Sequence, residues 1–202
     1  MKKGLLVVVS GPAGSGKGTV NAHLLKRDDF VYSVSATTRA PRPGEIDGVN
    51  YHFLSIEEFK ERLDRGDMLE HTQYCGNFYG TPKKEAMEVL ESGRNLILEI
   101  EVEGAHNVKA KYPEAVLILL LPPSYSVQEK RLRGRATETE EKILERLAKA
   151  REEVTFAGDY DYIVYNYDNK DADAAEEILH IVMAEKAAIH RNPDIAELYL
   201  NN

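Results

Sequence analysis

The segment best suited to chemistry is Gly11-Pro12-Ala13-Gly14-Ser15-Gly16-Lys17-Gly18-Thr19. It follows a short apolar run, Leu5 to Val9, and opens a stretch of helical character. Glycines at this spacing let consecutive backbone N–H groups curl around phosphate oxygens. The helix N-terminus adds partial positive charge, and Lys17 reaches the outer phosphates. The G-x-x-x-x-G-K pattern between a strand and a helix therefore points to a bound nucleotide. A Ser or Thr ordinarily follows the lysine and meets Mg²⁺. Here Gly18 stands in that place and Thr19 comes next, so the metal contact stays open between Thr19 and the carboxylate of Glu99, acting through water.

A second set of residues suits an anion. Arg39 and Arg42 are stiffened by Pro41 and Pro43, and their forked N–H donors can close on one phosphate. Tyr51 and Tyr79 offer hydroxyls to the same oxygens. Glu99 and Glu101, two apart on an expected strand, would share one face, which at the C-terminal end of a parallel strand meets the ligand crevice. Arg131 and Arg135 lie one helical turn apart, Arg146 and Arg151 follow on the next helix, and phosphoryl transfer needs cations of this kind around its equatorial oxygens. Plainer readings fit the residue types as well: solvated loop arginines, exposed strand-end acids, a solvated basic helix face and, for Glu70, a solvated acid at a strand start. The six histidines show no metal-ligand spacing.

These groups need a frame, and the hydropathy pattern supplies one. Short apolar runs alternate with longer amphipathic stretches, the pattern of an α/β protein with a parallel sheet. Strands are predicted at Gly4–Ser10, Asn95–Val102, Ala115–Leu121 and Tyr162–Tyr165. Helices are predicted from near Gly16 and over Ser55–Arg65, Pro82–Glu91, Ser124–Leu132, Thr139–Thr155 and Asp171–Arg191. Ser55 and Glu58 have capping-box spacing, and Thr81 with Pro82 would open the next helix as N-cap and first residue. Residues 31–80, rich in Tyr, Gly and Thr, read as a small mixed β-rich insertion, and the polar segment 133–140 reads as a lid.

Length and charge narrow the options. At 202 residues the chain fits one domain with a sizeable core. Its formal net charge of −8 argues against a sequence-independent grip on nucleic acid or anionic lipid, so any anion must be held by locally placed cations. Cys75 is the sole cysteine, which excludes an intrachain disulfide and a four-cysteine zinc site and points to a reducing cytoplasm. Neither apolar run is long enough to cross a membrane or to act as a signal peptide.

Several segments together resemble one family. Ser35, Thr38, Arg39, Arg42, Glu45, Gly48, Tyr51 and Phe53 stand at the defining positions of the guanylate kinase signature. Gly76-Asn77-Phe78-Tyr79-Gly80-Thr81-Pro82 resembles that family's GNxYGT segment, and Leu98-Glu99-Ile100-Glu101 with Gly104 its third landmark. Arg131 to Arg151 resembles its lid and following helix, so the likeness runs from Leu5 to about Leu179. It implies a core of the phosphate-loop NTPase type over residues 1–34 and 82–202, a GMP-binding insertion over about 35–81 and a lid over about 133–140. The implied reaction moves the γ-phosphoryl group of ATP to GMP, with Mg²⁺ as cofactor. The resemblance assigns Lys17, Arg131, Arg135 and Arg146 to catalysis. It assigns Gly11 to Thr19 (Gly11, Pro12, Ala13, Gly14, Ser15, Gly16, Lys17, Gly18, Thr19) and Asn166 to ATP, and Ser35, Arg39, Arg42, Tyr51, Glu70, Tyr79, Thr81 and Glu101 to GMP.

The chemistry of guanine agrees for Glu70, because one carboxylate can accept from N1–H and N2–H together, whereas adenine presents an acceptor at N1. Departures from the family pattern are Gly18, Glu103 for a common Gln, Ala136 for a common lid Gly, Glu145 beside Arg146, and Tyr167 for an Asp. Two rival readings are another nucleoside monophosphate kinase, since Gly18-Thr19 resembles adenylate kinases, and a non-enzymatic scaffolding domain. The latter commonly lacks the phosphate loop present here.

Overall fold

A computed structural model describes residues 3–74, 76–134 and 139–201. Five strands form a parallel sheet: β1 (Leu6–Ser10), β2 (Phe30–Tyr32), β7 (Asn95–Glu99), β8 (Val116–Leu121) and β9 (Tyr162–Tyr165), in the order β2-β7-β1-β8-β9. Alternation along β1 divides the core. Val7 and Val9 pack with Val20 of α1 (Lys17–Leu24) and Ile178 of α7 (Asp171–Ala187). Leu6 and Val8 face the opposite way, toward Leu90 of α3 (Lys83–Glu91) and Ala105 and Val108 of α4 (Val102–Lys111). Because both faces are covered, the strands read as continuous apolar runs. The chain leaves β1 toward β2 and leaves the adjacent β7 the other way, toward β8, which opens a crevice at the carboxyl ends of these two strands.

The second sheet is small and mixed, in the order β4-β3-β6-β5, from β3 (Ala36–Thr37), β4 (His52–Phe53), β5 (Met68–Tyr74) and β6 (Asn77–Pro82). Its core is Ala36 and Met68 against Phe59 of α2 (Ile56–Asp64). The expected capping box is present: the Ser55 hydroxyl accepts from the Glu58 amide at 3.1 Å, and the Glu58 carboxylate accepts from the Ser55 amide at 2.8 Å. Two further helices, α5 (Tyr125–Gly134) and α6 (Glu140–Val154), pack through Leu132, Ile143 and Leu147, and α8 (Ile195–Leu200) ends the chain. Among the described residues no helix is long and apolar enough to cross a membrane.

Four expectations are corrected. The strand from Asn95 stops at Glu99, where its pairing with Val9 ends, and Val102 already opens α4. Glu101 is the N-cap residue of α4, so it does not share a strand face with Glu99. Thr81 does not cap α3, whose N-cap is Pro82, because the Thr81 hydroxyl is engaged with Glu70. The last long helix ends at Ala187 and continues as a 3₁₀ turn over Ile189–Arg191.

Candidate active site

The phosphate loop leaves β1 at Ser10 and enters α1 at Lys17. Its path requires glycine at two places. Gly11 has φ +151°, and a Cβ there would lie 2.1 Å from the Leu120 carbonyl oxygen. Gly16 has φ +89°, and its Cβ would meet the Asn166 side-chain nitrogen at 2.3 Å. No L side chain fits either position without moving backbone or a buried amide. Lys17 Nζ donates to the Gly11 carbonyl, folding over the loop it belongs to. Thr19 Oγ1 donates to the Gly16 carbonyl at 2.8 Å and lines an open cavity on the far side of the loop with Arg131, Asn166 and Asp168.

Lys17 also borders a cavity of about 240 Å³ between the two sheets. Ser35, Arg39, Arg42, Tyr51, Glu70 and Tyr79 line it from the insertion, and Glu99 and Glu101 from the core. Thus a cation of the phosphate loop and the arginine pair face one space. Hydroxyls stitch the insertion together beside it. Thr37 Oγ1 donates to the Phe78 carbonyl at 3.0 Å, and the Phe78 amide donates to Thr38 Oγ1 at 2.9 Å.

The arginine pair is oriented by a residue that the sequence placed only in a signature. Arg39 Nη2 donates to both oxygens of Glu45, at 2.8 and 3.0 Å, and Glu45 also accepts from the Arg42 amide at 2.7 Å. The hydrogen bond to Arg39 holds the Glu45 carboxyl below its ordinary range. The Arg39 guanidinium also lies over the rings of Tyr51 and Phe53, 5.4 and 5.8 Å from their centroids. Tyr51 and Tyr79 meet edge to face at 6.2 Å, and burial pushes the Tyr51 hydroxyl up. The result is a rigid cationic rim with phenol groups beside it.

At the other end of the cavity Glu70 is 2% exposed. Its Oε1 accepts from Thr81 Oγ1 at 2.8 Å, while Oε2 is buried without a hydrogen-bond partner among the described residues. Burial pushes this carboxyl up to about 7, against the opposing hydrogen bond from Thr81. An orphaned buried acceptor on a cavity wall calls for a donor. Thr81 itself is fully buried behind Glu70 and reaches the cavity through it. Glu99 Oε2 accepts from Asn21 Nδ2 at 3.0 Å, with the Tyr32 hydroxyl at 3.5 Å. Glu101 borders the cavity from its N-cap position, and on its other side lies Glu153 of α6, 6% exposed. Burial and the facing Glu101 carboxylate push Glu153 up to about 7.

The expected catalytic arginines are not gathered here. Arg131 lies against the outside of the phosphate loop, donating to the Asn166 carbonyl at 2.8 Å and to Asp168 at 2.8 Å. Arg146 is half-buried on α6 and lies off the wall of the cavity. Arg135, and Ala136 in the same segment, fall outside the described residues. Asn166 is 4% exposed and donates to the Ser15 carbonyl at 2.9 Å, so it supports the loop from beneath. Sequence reasoning missed Asn21, Asp168, Gln128 and Glu153, whose partners lie far away along the chain.

Fold and site together define an α/β phosphate-loop protein with an arginine-rimmed cavity facing the loop. The guanylate kinase family model matches residues 3–185. A guanylate kinase of Clostridioides difficile (strain 630) is 50% identical over 196 residues, covering 96% of this chain and 95% of that one. One from Halalkalibacterium halodurans is 51% identical over 185 residues, covering 91% and 90%. The crystal structure of guanylate kinase from Anaplasma phagocytophilum matches with a TM-score of 0.77 at 33% identity, covering 95% of this chain and 90% of that one. The chain belongs to the guanylate kinase family.

Proposed function

We propose that this chain catalyses ATP + GMP = ADP + GDP and that each substrate meets the residues described above. The observation that carries the reading is the single cavity bordered by Lys17 on one side and by Arg39, Arg42 and the orphaned Glu70 oxygen on the other. Arg39 and Arg42, with the hydroxyls of Tyr51 and Tyr79, bind the GMP phosphate, and Glu45 fixes the angle of Arg39. Ser35, Glu70 and Glu101 surround guanine, and Thr81 acts by holding Glu70. The Glu70 carboxylate accepts from N1–H and N2–H, a pairing that adenine cannot make.

ATP lies with its phosphates in the loop of Gly11 to Thr19 and its base toward the open cavity near Asn166. Phosphoryl transfer then depends on orientation and on cations around the moving group, with no covalent help from protein. Lys17 supplies one cation from the loop. In this reading Arg131, Arg135 and Arg146 supply the others, the insertion over about 35–81 carries GMP, and the segment over about 133–140 closes over the donor.

Mg²⁺ suits the donor set. Among the described residues no group of three or more His, Cys, Asp or Glu could hold a metal alone, which matches an ion that arrives on ATP and keeps its waters. Glu99, beside Lys17, would hold such waters; Thr19, with its hydroxyl turned back to Gly16, is the poorer candidate. With its waters held by Glu99, Mg²⁺ would supply charge neutralisation to the donor phosphates. We place the reaction in the cytoplasm, where ATP and GMP are available. The test is ADP formation on adding GMP to folded protein with Mg·ATP; its absence overturns the reading.

A further inference from the structure

The carbonyl oxygens of the phosphate loop are held from outside, one after another. Pro12 accepts from the Ser15 amide at 3.1 Å, which closes the loop on itself. Ala13 accepts from Gln128 Nε2 of α5 at 2.8 Å. Gly14 and Ser15 accept from Arg131 Nη1 at 3.4 and 3.5 Å, and Ser15 also accepts from Asn166 at 2.9 Å. Gln128 and Arg131 are three apart on α5 and so share one face. Arg131 in turn is fixed by Asp168, whose Oδ1 accepts from Nε at 3.1 Å and from Nη2 at 2.8 Å.

A peptide unit points its N–H opposite to its C=O. Drawing the carbonyls of Ala13 and Ser15 outward therefore turns the amides of Gly14 and Gly16 inward, toward the space where phosphates sit, while the Ser15 amide closes the loop on Pro12. An anion nest binds tightly when its amides are oriented before the anion arrives, because no reorganisation is then needed. The Nε, Nη1 and Nη2 nitrogens of the Arg131 guanidinium each donate to protein acceptors on this outer side.

We propose that Asp168 and Gln128 are positioning residues for the donor phosphates: Asp168 fixes Arg131, and Arg131 with Gln128 keeps the loop carbonyls turned out. The inference rests on reading the loop as the ATP site. Asp168 is bound to Arg131 across 37 residues of sequence and touches no loop atom itself in any of these hydrogen bonds.

The experiment compares Asp168→Asn, Asp168→Glu and Gln128→Met with the unaltered chain. The readouts are KM for ATP, KM for GMP, kcat, and the inhibition constants of inorganic tripolyphosphate and of adenosine. Asp168→Asn and Gln128→Met should raise KM for ATP and weaken tripolyphosphate on the order of tenfold each, as expected for modest misorientation of binding groups. KM for GMP should hold within about twofold in both variants, inhibition by adenosine should hold within about twofold in Gln128→Met, whose side chain is not on the wall of the cavity near Asn166, and Asp168→Glu should recover part of the loss. Unchanged tripolyphosphate affinity in both variants overturns the proposal. Tighter ATP with faster turnover in Asp168→Asn also overturns it, because the carboxylate would then be holding Arg131 away from the donor phosphates and not positioning the loop for them. Loss of all GMP-dependent turnover at saturating ATP in well-folded variants would count against it as well. The underlying reading is judged separately, by whether the unaltered chain makes GDP.

Discussion

Thr81 Oγ1 donates to one carboxylate oxygen of Glu70 at 2.8 Å and leaves the other buried oxygen without a partner among the described residues. The hydroxyl fixes the carboxylate plane, and Glu70 lines the cavity between the two sheets. A base that brings two adjacent donors satisfies it. Glu70→Gln keeps the size and turns one acceptor into a donor. For GMP we expect a loss of about 2–4 kcal/mol in kcat/KM, the scale of a buried charge-assisted pair. Inosine monophosphate, which lacks the 2-amino group, should lose less. Equal losses for both would remove Glu70 from base reading.

The same carboxyl makes GMP binding pH-dependent. Burial pushes Glu70 up to about 7 in the free protein, and pairing with guanine requires the ionised form. Binding should therefore release a proton, and KM for GMP should climb as pH falls below about 7, while KM for ATP changes little. Isothermal titration of GMP in buffers of different ionisation enthalpy reads the proton directly. Proton uptake on binding would contradict the assignment.

Glu153 yields a stability prediction of definite sign. Its folded value of about 7 lies above the ordinary 4.5, so the fold binds this proton more tightly than the unfolded chain does. Its stabilising contribution is present below about 4.5 and is lost as pH rises through about 7. Replacing it by Gln removes that titration. The thermal midpoint of Glu153→Gln relative to the unaltered chain should therefore improve between pH 6 and pH 8, readings taken roughly one unit either side of the midpoint. A constant difference across that range would mean that Glu153 is charged throughout.

Glu45 and Lys17 separate phosphate orientation from chemistry. Glu45→Gln loosens the Arg39 guanidinium and should raise KM for GMP and inosine monophosphate alike, on the order of tenfold, because it acts on the phosphate and not on the base. Lys17→Ala should instead depress kcat by at least about a hundredfold with the fold intact, as loss of a cation aimed at developing charge requires. Near-normal turnover of Lys17→Ala would take the loop out of the reaction.

Much of this was legible before any coordinates, for physical reasons that differ by element. The phosphate loop and the Ser55 capping box are local patterns, and each formed where the sequence placed it. The Asn95 strand was drawn too long, because Ile100 and Val102 continue an apolar run after pairing has stopped at Glu99. α4 went unread because the sequence around Gly104 carries little amphipathic contrast, and only its packing through Ala105 and Val108 onto β1 and β7 fixes it as a helix. In the site, signature residues such as Arg39 and Tyr51 were readable, whereas Asn21 on Glu99, Gln128 on Ala13 and Asp168 on Arg131 were not. Those partners are separated by tens of residues, and ordinary polar side chains show no local sign of what they will hold. Tyr167 departs from the family's Asp, and the next residue, Asp168, supplies a carboxylate to Arg131.

The central claim is that one cavity accepts GMP opposite the phosphate loop, and acceptor selectivity tests it most directly. Purified protein with Mg·ATP is offered GMP, AMP, dTMP and UMP in parallel, and kcat/KM is measured from ADP release, with the phosphorylated product identified for each. The account predicts GDP from GMP, with the other acceptors at least about a hundredfold poorer, because none offers the paired donors that Glu70 accepts. Equal or greater activity on any of the other three, or no ADP on adding GMP, would contradict it.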